Sequence, residues 1–267
     1  MEVWDGLTDS RITFDWNETS SFLSERTPST QTIAYMIENI NLTTGLQKFL
    51  AELGGVTIFS PEKVESITYG PNSEAADLSS WPTVTVSSGR KLAARLLVGA
   101  DGANSPVRTF AGIQARGWDY GRMGVVATIQ LESEPLQKIA YQRFLTSGPI
   151  AMLPLPGKMA SLVWSTTPER AAILKSASKE DFVALVNAGF RLGSVDIDYL
   201  HKMPGGQAEE YKWRSGQTNV TGVVPTIVSG VQEGSVAPFP LRMRHADTYT
   251  AERIALVGLD NSTSQDL

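Results

Sequence analysis

Cysteine is absent from the 267 residues, and histidine occurs twice, at His201 and His245. The first absence excludes disulfides, thiolate catalysis and Cys-based zinc or iron–sulfur sites. Two histidines so far apart match no common histidine metal motif, and no metal site is expected. No run of about 18 apolar residues occurs, so no helix is expected to cross a membrane. The opening Met1-Glu-Val-Trp-Asp-Gly6 is acidic and shows no basic, apolar leader. A formal net charge of −5 without a basic stripe argues against nucleic acid as a partner. Redox chemistry in such a chain would fall to an organic cofactor.

What is present suits a globular protein: 42% of the residues are hydrophobic, and the length fits one large or two modest domains. Short strands are expected around Glu2–Trp4 and Ile12–Trp16, then a polar loop to about Thr30. From Asn39 the pattern is helical. Leu42, Leu46, Phe49, Leu50 and Leu53 fall on one face, Asn39 or Asn41 can cap the start, and Gly54-Gly55 ends it. Strands follow at Val56–Phe59 and Lys63–Tyr69, then a hairpin with arms Thr83–Val86 and Leu92 onward and its turn at Ser88-Gly89. Beyond Gly117 the separate runs Gly124–Leu131, Ile139–Leu145, Pro149–Leu153 and Ser161–Ser165 read as an antiparallel sheet. Helices are expected from Pro168 to Lys175 and from Ser178, the latter with Asp181 in an approximate capping box and Phe182, Leu185, Val186 and Phe190 buried. Gly193 to Gly234 carries no clear period, and Arg253–Gly258 reads as a final buried strand.

The most informative stretch is Leu96-Leu-Val-Gly-Ala-Asp-Gly-Ala-Asn-Ser-Pro-Val-Arg108. Its apolar start has the character of a strand buried on both faces of a parallel sheet. Asp101-Gly102 makes a turn, Asn104 or Ser105 can cap a short helix, Pro106 suits its first position, and Gly112 suits its end. Strand, acidic turn and helix start is the arrangement at which open α/β sheets bind nucleotides.

The pattern Asp-Gly-x-x-Ser-x-x-Arg on Asp101, Gly102, Ser105 and Arg108 resembles the second fingerprint of the flavoprotein aromatic hydroxylases. Further stretches resemble the ubiquinone-biosynthesis branch of that family in its eukaryotic form. These include Val3-Trp4-Asp5, Tyr35–Asn39, Trp118-Asp-Tyr120, Val125–Thr128, Gln142–Leu145, Gly148–Pro154, Leu162–Ser165 and Phe239–Leu241. The resemblance implies a mixed α/β fold like that of para-hydroxybenzoate hydroxylase: an incomplete, Rossmann-like FAD-binding domain enclosing an antiparallel substrate sheet. The implied domains are 1–116, a partial FAD-binding domain; 117–240, the substrate domain; and 241–267, the return strand of the first.

It further implies an FAD-dependent monooxygenase hydroxylating a polyprenylated hydroxybenzoate-type ring. Electrons would come from NAD(P)H or a ferredoxin-type protein. Other ubiquinone-biosynthesis proteins are implied partners, and the implied location is the matrix face of the mitochondrial inner membrane, with peripheral membrane association. Asp101, Gly102, Ser105, Arg108, Asn39 and Gly258 are the cofactor-binding candidates, and Met152, Leu153 and Trp164 the substrate candidates. No residue stands out as a catalytic acid or base. Core packing alone would also account for Met152, Leu153 and Trp164, helix capping for Asn39, and support of a turn for Arg108.

Two departures bear on activity. No Gly-x-Gly-x-x-Gly loop precedes the helix near residue 40, and after Gly258 the residues Leu259-Asp-Asn-Ser-Thr-Ser-Gln-Asp-Leu267 leave the family pattern, with Asp260 a near miss. The chain is therefore expected to be an incomplete form that binds FAD poorly or not at all. A non-catalytic isoform or fragment that keeps only docking surfaces is the alternative, and a related flavin reductase or halogenase a third reading.

Overall fold

The computed structural model describes residues 1–14, 33–73 and 76–258. The chain runs through β1 (Glu2–Asp5), β2 (Arg11–Thr13), α1 (Asn39–Leu53), β3 (Val64–Tyr69), the short pair β4 (Asn72–Ser73) and β5 (Ala76–Asp77), β6 (Pro82–Val86), β7 (Lys91–Ala93), β8 (Leu97–Gly99) and α2 (Pro106–Phe110). It continues through β9 (Ala115–Leu131), β10 (Tyr141–Leu145), β11 (Gly148–Pro154), β12 (Met159–Thr166), α3 (Pro168–Ser176), α4 (Lys179–Arg191), α5 (Ser194–Lys202) and α6 (Gln207–Gln217). The last elements are β13 (Val228–Val231), β14 (Ala237–Ala246), β15 (Thr250–Ala251) and β16 (Ile254–Leu256). Two compact units result: Met1–Lys48 with Gly121–Phe239, and Phe49–Tyr120 with Pro240–Leu267. The boundaries lie within α1, β9 and β14. Of the described residues, 1–14 and 33–48, expected in the nucleotide-binding part, group with the large sheet.

In the first unit the sheet order is β13-β9-β12-β11-β10-β1-β2. Its pairs are antiparallel except β1 with β10, where Val3 lies beside Gln142 and Trp4 beside Arg143. Along β12, Ala160, Leu162, Trp164 and Thr166 are buried, while the intervening residues are only half-buried. This period of two puts one face of the sheet against the helices. Trp4, Val125, Ile129, Ile150, Met152, Leu162 and Trp164 meet Phe182, Leu185, Val186 and Phe190 of α4 in a single core. Ser178 caps α4 by accepting the Asp181 N–H at 3.1 Å. The Asp181 carboxylate, however, turns to the backbone N–H of Ala208 at 2.9 Å, which ties α4 to α6 and leaves the expected capping box unclosed. Asn187, buried in α4, exchanges two hydrogen bonds with the backbone of Val228 (2.8 and 3.0 Å) and fixes β13 to the helix layer.

The second unit holds a three-stranded sheet β15-β16-β8 and the antiparallel group β3-β6-β7. Strands β16 and β8 are parallel, with Leu256 beside Gly99. Gly99 is required there, since a Cβ would stand 2.8 Å from the Cβ of Val107 on α2. Val107, Ile113, Ala246, Ile254 and Leu256 form the small core.

Several expectations are corrected. Val56–Phe59 is not a strand. The hairpin arm from Leu92 stops at Ala93, and β8 follows separately. β8 packs on one face only: it is an edge strand, and Leu96 and Val98 remain exposed. The expected buried face of α1 is exposed at Leu42, Leu46, Phe49 and Leu53. The cap of α1 is neither Asn39 nor Asn41: the Glu38 carbonyl accepts the N–H of Leu42, and its carboxylate accepts the Asn41 side-chain amide. The aperiodic 193–234 stretch contains α5 and α6. Trp16, the polar loop to Thr30 and Asp260 lie outside the described residues.

Candidate functional site

The Asp101 motif is built as a strand-to-helix corner. Gly102 turns the chain with φ +77°, a conformation that side-chain-bearing residues rarely adopt. The Asp101 carboxylate accepts the N–H of Val107 at 3.1 Å, and the buried Ser105 caps α2 by accepting the N–H of Arg108 at 2.9 Å. The Arg108 guanidinium donates to the Ile113 carbonyl at 3.2 Å, past Gly112 (φ +68°). Ser105 and Arg108 thus hold the corner in shape. Asp101 and Gly102 form its exposed crest.

Gly258 lies at the same end of the same sheet. The N–H of Val257 donates to the Gly99 carbonyl at 2.9 Å, so the carboxyl ends of β8 and β16 sit side by side. Gly258 is exposed with φ +74°, and a Cβ at either Gly102 or Gly258 would meet nothing within 4 Å. Bare, accessible backbone at the carboxyl ends of adjacent parallel strands fits a dinucleotide such as FAD, which needs close backbone approach there. Five of the six cofactor candidates therefore share one corner. Asn39 is the first residue of α1, in the first unit, where its carbonyl accepts the Thr43 hydroxyl.

The second surface is the face of the large sheet turned away from the helices. Register brings Val3, Gln142, Ala151, Val163 and Val126 into one row across five strands. At about 4.8 Å between strands the row spans roughly 19 Å. The next row carries Leu153, Ser161 and Thr128. On the other side of the first lie Asp5 and Phe144, paired across β1 and β10, and Ser165 with Gly124. The side chains of the central row are half-buried, so the face presents an apolar floor flanked by the hydroxyl groups of Ser161, Thr128 and Ser165 and the Asp5 carboxylate, with the Gln142 amide in its central row.

The three substrate candidates divide between the two faces. Leu153 lies on the open face. Met152 and Trp164 belong to the core under the helices, at 3% and 0% exposure. Pairing of Ile150 with Trp164 and of Met152 with Leu162 fixes both on that side, where they line no open surface.

Arg143 is a further charge on the covered face. Its guanidinium donates to the carbonyls of Gly189 (3.0 Å) and Leu192 (2.9 Å), closing the C-terminus of α4. Burial draws its pKa below the ordinary arginine value, with Asp9 and Asp5 opposing. His201 is also buried. Its Nδ1 lies 2.9 Å from the Ile197 carbonyl, its ring meets Trp164 edge-on at 5.5 Å, and burial lowers its pKa. Both are structural groups.

Comparison with known proteins gives the family and the fold. The family described as FAD binding domain matches residues 7–222. The ubiquinone biosynthesis monooxygenase COQ6, mitochondrial, of Saccharomyces cerevisiae is 38% identical over 242 residues, covering 84% of this chain and 50% of the yeast protein. The human protein of that name is 35% identical, with 97% and 53% covered. The chain spans about half the length of these curated relatives. Among solved structures, aklavinone-11 hydroxylase in a ternary complex with FAD and aklavinone matches with a TM-score of 0.58 at 16% identity, over 97% of this chain and 43% of that one, a likeness of fold.

Proposed function

The chain belongs to the FAD-binding-domain family, and from that premise we propose that it serves an FAD-dependent monooxygenase acting on a prenylated aromatic ring in ubiquinone biosynthesis. The observation that carries this reading is the match over 84% of the chain to a relative named for that activity. The corner at Asp101, Gly102 and Gly258 supports it by offering accessible backbone where a dinucleotide would lie.

When bound, FAD would carry two electrons from the reductant and supply the oxygen activation. Residues of this chain do the rest. Gly102 and Gly258 would let the cofactor approach the backbone, while Ser105 and Arg108 hold the loop rigid. Asn39, expected near the flavin, is proposed only as a helix-start residue whose amide remains exposed. Leu153 and the row of Val3, Ala151, Val163 and Val126 would hold the ring and the first part of its tail and keep water from them. Met152 and Trp164 would act from beneath by keeping the sheet rigid.

The domains we propose follow the structure: 1–48 with 121–239 for the substrate and 49–120 with 240–267 for the cofactor. A reductant, either NAD(P)H or a ferredoxin-type protein, is required by the chemistry. The mitochondrial names of the relatives support a mitochondrial location, within which the matrix face of the inner membrane is our proposal. The test is oxygen labelling. The monooxygenase that this chain serves, supplied with FAD, reductant and a prenylated 4-hydroxybenzoate under isotopically heavy oxygen gas, should place one heavy oxygen atom on the ring, read by mass spectrometry. Reductant consumption with an unlabelled ring would overturn the proposal.

A further inference from the structure

The central row of the open sheet face has one polar member. Val3, Ala151, Val163 and Val126 are apolar, and Gln142 stands between Val3 and Ala151. Leaving a half-buried amide among apolar neighbours costs stability unless a partner satisfies it. Among the described residues, no side chain or backbone group hydrogen-bonds the Gln142 amide, whereas the amide of Asn187, buried under the same sheet, both donates to and accepts from the Val228 backbone. Its immediate neighbour Arg143 points through the sheet and is engaged by two helix carbonyls, so it cannot serve this face.

We infer that Gln142 is the specificity-determining contact for a ring hydroxyl group, the one directional hydrogen-bonding point in the otherwise apolar central row. The inference rests on the open face being the substrate surface. A carboxamide suits a phenol in particular, because its Oε1 can accept the phenolic O–H while its Nε2–H donates to the phenolic oxygen. The valines and Ala151 bind through area and have no direction, so they recognise a prenyl chain without orienting the ring. Gln142 would then decide which ring edge faces inward. A site built to pair with a hydroxyl discriminates against the analogue that lacks it, because the amide is then left unpaired.

The test is a binding comparison on the whole chain with two probes, 2-geranylphenol and its methyl ether, by titration calorimetry. The two share a tail and differ in the O–H donor. The unmodified chain should prefer the phenol by about fivefold, the value of one net hydrogen bond. Gln142→Leu should bind both probes equally, with its affinity for the ether kept. Gln142→Glu, which accepts but does not donate, should keep part of the preference, and matching thermal melts establish that the variants are folded. If Gln142→Leu retains the phenol preference, the hydroxyl is recognised elsewhere and the inference falls. If the unmodified chain binds both probes alike, the face is a substrate surface but Gln142 is not its selector. If it binds neither, the reading of the face itself falls, and the inference with it.

Discussion

At the scale of single residues, Arg143 and His201 show how charge and polarity can be structural in a chain whose chemistry is borrowed. Arg143 closes two carbonyls at the end of α4. Arg143→Met should therefore destabilise the protein by about 2–4 kcal/mol, as two buried acceptors lose their donor, read from urea unfolding. An unchanged midpoint would contradict the capping role. For His201 the sign follows from burial, which lowers its pKa from 6.5. The unfolded chain then binds the proton more readily than the folded one. Its contribution is complete above the unfolded value and is lost as pH falls below it. Thermal melts should show stability dropping between about pH 7 and pH 5, with a shallower slope in His201→Phe. Equal slopes would place the titrating group elsewhere. At this scale the sequence showed Asp101, Gly102, Ser105 and Arg108 together because they are consecutive, and a corner made of neighbours is legible. Met152 and Leu153 are also consecutive, yet they fall on opposite faces. Which of them faces the helices depends on what covers the sheet.

Among the secondary-structure elements, those with strong local signals stand where sequence places them. Ser178 caps α4, Pro106 opens α2, and the Ser88-Gly89 turn closes β6 and β7. The misses share a physical cause: periodicity shows that an element has an apolar face but not what meets it. α1 has such a face and exposes it. Helices α5 and α6 lie in glycine-interrupted sequence, and their stability comes from packing on α4, with Ile197 and Leu200 buried. The fit between α4 and the sheet is close enough to test. A Cβ at Gly189 would stand 2.8 Å from the Cδ1 of Ile150 and 3.3 Å from Trp164. Alanine favours a helix interior by about 1 kcal/mol, but overpacking costs about 1–3 kcal/mol. Gly189→Ala should therefore lose about 1 kcal/mol in net stability by thermal denaturation; a gain would show that the layers can part without cost. The corner at the strand ends makes its own prediction. Excess FAD should slow amide hydrogen exchange at residues 101–105 and 257–258, and slowing confined to other segments would remove the cofactor from this corner.

For the whole molecule, the mixed α/β class and the FAD-binding family were legible because the resemblance extends along nearly the full chain, while the grouping into units was not. Residues 1–48 precede the nucleotide corner in sequence, but β1 pairs with β10 in the large sheet. That pairing joins residues about 140 positions apart, a contact no local pattern carries. The central claim is that one face of this sheet receives a prenylated ring and the other is core. Methyl-labelled NMR during titration with a prenylated phenol tests it most directly. The account predicts shifts at Val3, Val126, Leu153 and Val163, with Ile150, Leu162 and Val125 unmoved. Shifts confined to those core methyls, or to Val183 and Val231 in the groove beside Tyr211 on the helix side, would contradict it.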